Sequence, residues 1–134
     1  MLVRYGVRKY TTEEVIKEVG IPLSTLKSWI LRGFIKPEEP STGKRQRSYY
    51  GGNGIMHLKI LRALSDHKLP LEWIHDIHMV RNDSVYLAIG YINIRIDIHW
   101  GQREGKTRSY IHRISEKSRE ISWDEAIATA NKNR

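Results

Sequence analysis

Two short stretches near the start of the chain carry side chains that suit contact with a nucleic acid. In the run Thr25-Leu26-Lys27-Ser28-Trp29, hydroxyl groups alternate with apolar groups around one cation. In Lys44-Arg45-Gln46-Arg47, three cations and an amide stand together, just before Tyr49. Hydroxyl and ammonium groups on a helix can donate to base edges in the major groove, and loop cations can neutralise phosphates. These residue types indicate binding to duplex DNA.

The charge of the chain favours an acidic partner. The formal net charge is +8 and the pI is about 9.8. Residues 1–50 hold ten Lys and Arg against five Asp and Glu, residues 51–83 hold four of each, and residues 84–134 hold nine against six. Such an excess is typical of proteins that bind an acidic polymer or surface. Because there is no cysteine, disulfides and thiolate metal sites are excluded.

Two other groups of residues resemble catalytic or metal sites. His75 and His78 would lie one helical turn apart, but no third metal ligand accompanies them. Asp97, His99 and Ser109 have the types of a hydrolase triad, without a nucleophile elbow or an oxyanion loop. We therefore predict no catalytic residue, no metal site and no cofactor, and the chain is not expected to be an enzyme.

The sequence also predicts the compartment. No apolar run approaches the roughly 20 residues that are needed to span a bilayer. The first residues contain Arg4, Arg8 and Lys9 but no apolar core of a signal peptide. We expect a cytoplasmic protein with no membrane partner.

Capping signals predict two short helices that position the first candidate stretch. Thr11 and Glu14 form a capping box, and Gly20 ends the helix that it opens. A second helix follows over about residues 24–32, and Gly33 closes it. Its apolar face is predicted to contain Leu23, Leu26 and Ile30. Two short helices with a tight glycine turn form a helix-turn-helix pattern.

The next stretch predicts a β-hairpin and a second pair of helices. Pro37 and Pro40 bracket an extended segment, so the cationic run would be the tip of the hairpin. A flexible glycine-rich stretch then leads to Asn53, the expected cap of a helix over residues 55–68. A further helix is expected over residues 71–81.

After residue 82 the hydrophobic period changes from helical to alternating. Isoleucines at every second position from Ile92 to Ile98 predict a half-buried strand. Residues 85–89 and 110–114 predict its partners in a three-stranded antiparallel sheet. Ser122 and Glu125 form another capping box, which opens a terminal helix. The isoleucine face is the candidate dimer surface, since it would be unfavourable in water.

The first 82 residues resemble the MerR-type winged-helix DNA-binding domain family. The likeness rests on the order and spacing of four motifs, which stand here as Thr25-Leu26-Lys27-Ser28-Trp29, Gly33-Phe34-Ile35-Lys36-Pro37, Arg47-Ser48-Tyr49 and Leu71-Glu72-Trp73-Ile74. Lys27 stands where the family usually has arginine, and the strands after residue 82 replace the family's usual long dimerisation helix. The resemblance therefore covers about three fifths of the chain.

This resemblance implies a set of DNA-binding residues. Side chains of the second helix would enter the major groove, Trp29 would steady the wing and touch a phosphate, and the wing cations would reach the backbone or the minor groove. The predicted DNA-binding residues are Ser24, Thr25, Lys27, Ser28, Trp29, Lys44, Arg45, Arg47 and Tyr49.

We therefore predict an α+β protein in two parts. Residues 1–82 form a MerR-like winged helix-turn-helix with a second helix pair, and residues 84–134 form a small antiparallel β-sheet with a terminal helix, serving in dimerisation or effector binding. The expected function is sequence-specific binding of double-stranded DNA by a homodimeric transcriptional regulator. Three alternatives remain: an architectural DNA-binding factor in recombination, excision or phage DNA packaging, a ligand sensor or enzyme in the β-rich half, and an RNA-binding protein.

Overall fold

A computed structural model describes residues 9–37, 49–103, 106–107 and 109–134. Its helices are α1 (Thr12–Val19), α2 (Leu23–Leu31), α3 (Gly52–Asp66), a 3₁₀ helix (Leu71–Asp76) and α4 (Trp123–Asn133). Its strands are β1 (Tyr10–Thr11), β2 (Tyr49–Tyr50), β3 (Ile77–Arg81), β4 (Ser84–Ile89), β5 (Ile92–His99), β6 (Gln102–Arg103), β7 (Lys106–Thr107), β8 (Tyr110–Glu116) and β9 (Arg119–Ile121). The architecture is α+β.

Helix α1 begins and ends as its sequence predicts. The hydroxyl of Thr11 accepts a hydrogen bond from the backbone N–H of Glu14 at 3.2 Å, and the carboxylate of Glu14 accepts one from the N–H of Thr11 at 3.1 Å. The capping box is therefore confirmed. Gly20 ends the helix with a φ of +76°, a conformation that glycine adopts without the steric cost of a Cβ.

Helix α2 is confirmed, but its buried face differs from the prediction. Leu26 and Trp29 are buried, whereas Leu23 is 43% exposed. At about 100° per residue, Leu23 lies about 90° from the midpoint between those two side chains, so it is at the edge of the buried face. Gly33 follows the helix with a φ of +80°, as the sequence predicts.

Strands β1 and β2 join the two ends of the helix-turn-helix segment. Tyr10 pairs with Tyr50 and Thr11 with Tyr49 in an antiparallel ladder. The side chain of Tyr50 is fully buried, and this burial raises the pKa of its phenol more than a hydrogen bond with Thr12 lowers it. The tip of the predicted hairpin, with Lys44, Arg45 and Arg47, lies outside the described residues.

The start of helix α3 corrects two predictions. Gly51 is the N-cap, and no side chain caps this end, so the expected cap at Asn53 is wrong. Asn53 instead lies within the first turn of the helix. Residues 52–54 of the glycine-rich stretch are also helical rather than flexible, and Gly51 and Gly52 are buried. Tertiary packing has here outweighed the low helix propensity of glycine.

The helix predicted over residues 71–81 is wrong in its second half. A short 3₁₀ helix ends at Asp76, and the chain continues as β3. Arg81 pairs with Ser84 across a two-residue turn, in which Asn82 has a φ of +53°. Apolar residues at Ile77 and Val80 fit a helix and a strand equally well over so few residues, and pairing with β4 decides between them.

The predicted sheet is present, but it has five strands instead of three. Its order is β3-β4-β5-β8-β9, and all neighbours are antiparallel. The two additional strands are the edges, where short sequences lack the alternation that marked the three central strands. Strands β6 and β7 form a separate small ladder. The predicted boundary between residues 82 and 84 falls within the β3–β4 turn.

One hydrophobic core includes buried residues from both halves of the chain. The inner face of the sheet contributes Ile94, Ile96 and Ile98, all almost fully buried. Helix α3 contacts β8, and α4 contacts β5 and β8, so the helices of the same chain cover this face. The prediction that the isoleucine face is a dimer surface is therefore wrong.

Helix α4 is capped at its start and held to another element at its end. The hydroxyl of Ser122 accepts a hydrogen bond from the N–H of Glu125 at 3.1 Å, which confirms the predicted N-cap. At the other end, Arg134 forms an ion pair with Asp76, in the 3₁₀ helix. The end of the terminal helix therefore contacts the first half of the chain.

Candidate nucleic-acid interface

Helix α2 presents one polar stripe away from the core. Ser24, Lys27 and Ser28 are exposed, and they occupy positions i, i+3 and i+4. Leu31, at i+7, completes the stripe and is 89% exposed. Residues at this spacing share one face of a helix. The exposed face of α2 therefore lies opposite the pair Leu26 and Trp29.

The remaining predicted residues of α2 lie on its sides or beneath it. Thr25 is half-buried at the flank of the stripe. Trp29 is only 4% exposed, so its indole packs in the core and has little surface for a phosphate. Burial of Trp29 holds α2 against the core, which orients the stripe on the opposite face.

Contacts from α3 fix the position of the helix-turn-helix. The ammonium group of Lys59 lies 3.3 Å from the carboxylate of Glu18 on α1. The guanidinium of Arg62 donates to the backbone carbonyl of Val19 at the end of α1. Arg62 also lies 3.7 Å from Asp66, one turn further along α3. An arginine that satisfies a terminal carbonyl caps the helix and complements its negative end.

The surroundings of α2 are positively charged. No acidic residue occurs between Glu18 and Glu38. Over the same stretch, Lys27, Arg32 and Lys36 are exposed. The guanidinium carbon of Arg32 lies 4.7 Å from the ring centroid of Phe34, a cation–π contact that orients the arginine. A surface with this charge attracts phosphates.

A groove of about 580 Å³ lies between the segment after α2 and the start of α3. Phe34, Lys36, His57 and His75 line it together with glycines at the start of α3. Burial lowers the pKa of His57, which favours its neutral imidazole. The rings of Phe34 and His75 are 5.9 Å apart. Among the described residues, the groove thus has a partly aromatic wall and one exposed cation, Lys36.

The structure brings together only part of the predicted DNA-binding set. Ser24, Thr25, Lys27 and Ser28 lie on or beside one face of α2. Lys44, Arg45 and Arg47 lie outside the described residues, and Tyr49 is described only through the pairing of its backbone in β2. Sequence reasoning missed Leu31, Arg32 and Lys36. Helical spacing from Ser24 could have identified Leu31, and the lack of acidic residues could have identified the two cations.

Asp97 and His99, two of the residues that resemble a hydrolase triad, have structural contacts, and Ser109 is buried. The carboxylate of Asp97 accepts hydrogen bonds from the Ser84 hydroxyl at 2.7 Å and from Arg95 Nε at 2.8 Å. The ring of His99 lies 5.0 Å from that of Tyr110. His75 and His78 belong to different elements, so they do not share a helix face. Over the described ranges, no group of three or more possible ligands could hold a metal ion.

A short helix-turn-helix with an exposed, carboxylate-free second helix is the architecture of a DNA-binding protein. The family model for MerR HTH family regulatory proteins matches residues 10–78, and the chain belongs to that family. No curated protein matches the chain.

Family membership confirms the predicted resemblance and supports a general function. The protein is a DNA-binding regulator with a helix-turn-helix, from a family of regulators rather than enzymes. None of the helices among the described residues combines the length and apolar character needed to cross a bilayer.

Proposed function

We propose that the protein is a sequence-specific regulator of transcription that binds double-stranded DNA with α2 in the major groove. The observation that carries this proposal is the stripe of Ser24, Lys27, Ser28 and Leu31 on the face of α2 that points away from the core. Hydroxyl and ammonium groups can donate to base edges, and an apolar side chain can contact a thymine methyl group. Such a mixed stripe suits recognition of sequence as well as binding to phosphates.

The flanking cations would supply affinity that does not depend on sequence. Arg32 and Lys36 follow the stripe, and no carboxylate occurs between Glu18 and Glu38 to oppose them. Neutralising phosphates releases counterions, which makes binding strong at low salt. We propose that Lys44, Arg45, Arg47 and Tyr49 form a wing that adds backbone or minor-groove contacts, which makes the domain a winged helix.

In this proposal, Trp29 supports the interface from within. Its buried indole keeps α2 at a fixed orientation, which base recognition requires because a hydrogen bond tolerates little displacement. Thr25, at the flank, is placed to contact either a base edge or a phosphate.

We further propose that the protein acts as a cytoplasmic homodimer. Members of the family usually bind DNA as dimers, and two modules on a two-fold site multiply the affinity of one. The division into a DNA-binding part at residues 1–82 and a second part at residues 84–134 is likewise a proposal about function. The shared hydrophobic core means that the second part also supports the first.

The test is selection of bound duplexes from a random pool, followed by measurement of affinity for the selected sequence. We expect a consensus sequence, and an affinity for it at least about a thousandfold above that for unrelated DNA. A pool that remains random, or no binding even at low ionic strength, would contradict the proposal. A promoter reporter containing the consensus then tests regulation of transcription.

A further inference from the structure

A groove of about 280 Å³ lies on the outer face of the five-stranded sheet, away from the core. Tyr86, Arg95 and Ser115 are consecutive partners across β4, β5 and β8, and they form its floor. Arg113 and Lys117 also line it. Pockets for drug-sized molecules usually measure from about 300 Å³ upwards, so this slightly smaller groove suits a ligand smaller than a drug.

Each of the two arginines of the groove is held through its own Nε atom. Arg95 donates through Nε to the carboxylate of Asp97 at 2.8 Å. Arg113 donates through Nε to the hydroxyl of Ser115 at 3.2 Å, and the same atom lies 3.7 Å from Glu120. Because these described contacts use Nε, the terminal amino groups of both guanidinium ions are left to donate to a ligand.

Two further features suit an anion. Ser115 is 4% exposed and accepts from Arg113, so its own hydroxyl proton can be donated into the groove. Lys117 lies in the turn between β8 and β9, where it has a φ of +51° and the next residue, Ser118, a φ of +64°. Residues other than glycine rarely adopt this conformation, and Lys117 lines the groove from this turn. No carboxylate is among the described residues that line the groove.

We propose that this groove binds a small organic anion through a phosphate or carboxylate group. Three cations surround a space of limited size, and two of them are already oriented by their Nε contacts, which lowers the entropy lost on binding. Planar guanidinium groups match the oxygens of phosphate and carboxylate in a bidentate geometry. The half-buried ring of Tyr86, with Arg95 5.8 Å from its centroid, offers an apolar surface to the rest of the ligand. The proposal does not depend on DNA binding.

The test is a titration of the full chain with small anions, in which the chemical shifts of the backbone amides are monitored by NMR. Chloride keeps the ionic strength constant. Inorganic phosphate, adenosine monophosphate and succinate serve as separate probes, which distinguishes the two oxyanions. We expect saturable shifts at β5, β8 and the β8–β9 turn for at least one probe. Arg113→Gln should weaken that binding by about tenfold, since a charge-assisted hydrogen bond is lost. Because Arg113 is half exposed, this variant should fold normally.

The matched control is Arg81→Gln, which removes one positive charge from the outer face of β3, outside the groove. Equal weakening by both variants would show attraction to general positive charge and would overturn the proposal. So would shifts that rise linearly without saturation. A duplex DNA probe is the third arm: if Arg113→Gln weakens DNA binding by as much as anion binding, the face is a DNA surface and the small-anion proposal is wrong.

Discussion

Leu31 shows how the position of a single side chain can matter more than its type. It is apolar and 89% exposed, yet it lies on the same stripe as two serines and a lysine. Its apolar surface is removed from water only if a partner covers it. A thymine methyl group in the major groove is a partner of matching chemistry.

We predict that Leu31→Ala changes the sequence preference of the protein without destabilising it. Substitutions of exposed residues usually change the free energy of unfolding by less than about 0.5 kcal/mol. Loss of an apolar contact should weaken binding to the selected duplex by about 1 kcal/mol, roughly fivefold, at positions with a T·A pair. Repeating the selection with the variant measures this. Leu23→Ala, at the edge of the buried face, is the control, and an unchanged consensus for Leu31→Ala would remove this residue from the interface.

The predicted wing cations should contribute to affinity for DNA of any sequence, whereas the stripe should determine which sequence is preferred. We expect Arg45→Ala combined with Arg47→Ala to weaken binding to all duplexes alike, because phosphate contacts carry no sequence information. The slope of log affinity against log salt concentration should become flatter by about one to two units. Fluorescence anisotropy over a series of salt concentrations measures it. A slope equal to that of the unaltered protein would mean that these arginines do not contact phosphates.

Asp97 should make stability depend on acid pH. Burial raises the pKa of this carboxyl, but hydrogen bonds from Ser84 and Arg95 and the charge of Arg95 together lower it below its ordinary value of 3.8. As the pH falls, the unfolded chain therefore takes up this proton first. The stabilisation is complete above the unfolded pKa and is lost as the pH falls through the folded pKa.

We therefore predict that Asp97→Asn lowers the free energy of unfolding at pH 7 by about 1 to 3 kcal/mol. The loss should shrink as the pH is lowered below about 4, since the unaltered protein then loses the same charged contact. Urea unfolding at several pH values measures both effects. Parallel pH profiles for the two proteins would contradict the assigned role of Asp97.

Among the elements, α3 connects the DNA-binding helices to the sheet. Its charged side chains contact α1 through Glu18 and Val19. Near its other end, the ring of His67 accepts a hydrogen bond from the backbone N–H of Ile111 in β8 at 3.0 Å. The orientation of α1 and α2 therefore depends on a helix that is itself packed against the second half of the chain.

The contact between Arg62 of α3 and the end of α1 can be tested by alanine substitutions at two glycines. A Cβ on Gly20 would lie 2.4 Å from Arg62 Nη1, whereas a Cβ on Gly33 would meet nothing within 4 Å. Both have positive φ, so alanine should cost about 1 kcal/mol of stability at either position. Gly20→Ala should cost about 1 kcal/mol more, because Arg62 must leave the carbonyl of Val19. Chemical denaturation of both variants measures the difference, and equal costs would show that the Arg62 contact contributes nothing.

At the scale of the whole molecule, the shared core couples the two halves. Leu64 and Trp73 from the first half and Ile96 and Ile114 from the sheet belong to one buried cluster. Moreover, β3 precedes the predicted boundary and pairs with β4, which follows it. Cutting the chain there would remove an edge strand from its sheet and expose part of the core to water.

We expect the two halves to unfold together. Hydrogen exchange of amides in α1 and in β5, measured along a urea titration, should show the same global free energy of unfolding, as for a single cooperative unit. A truncated chain ending at residue 82 should lack a stable fold. Two separate transitions, or a folded truncated chain, would instead show that the DNA-binding part is independent.

Local signals in the sequence determined much of this structure. The capping box of α1, the N-cap Ser122, the glycine that ends α1 and the alternation of Ile92 to Ile98 each depend on neighbouring residues in the chain, so they could be recognised without a tertiary fold. The motifs around α2 also identified the family. The stripe on α2 follows from helical geometry once the buried face is known, but the sequence alone assigned Leu23 to that face.

Only the tertiary structure decided the elements whose local preference is weak or ambiguous. Glycines at the start of α3 became helical because they are packed inside, and residues 77–81 became a strand because β4 satisfies their backbone hydrogen bonds. The isoleucine face looked available to a partner until α3 and α4 were seen to cover it. In each case the deciding contact comes from residues distant in sequence, and periodicity within a short segment contains no information about such contacts.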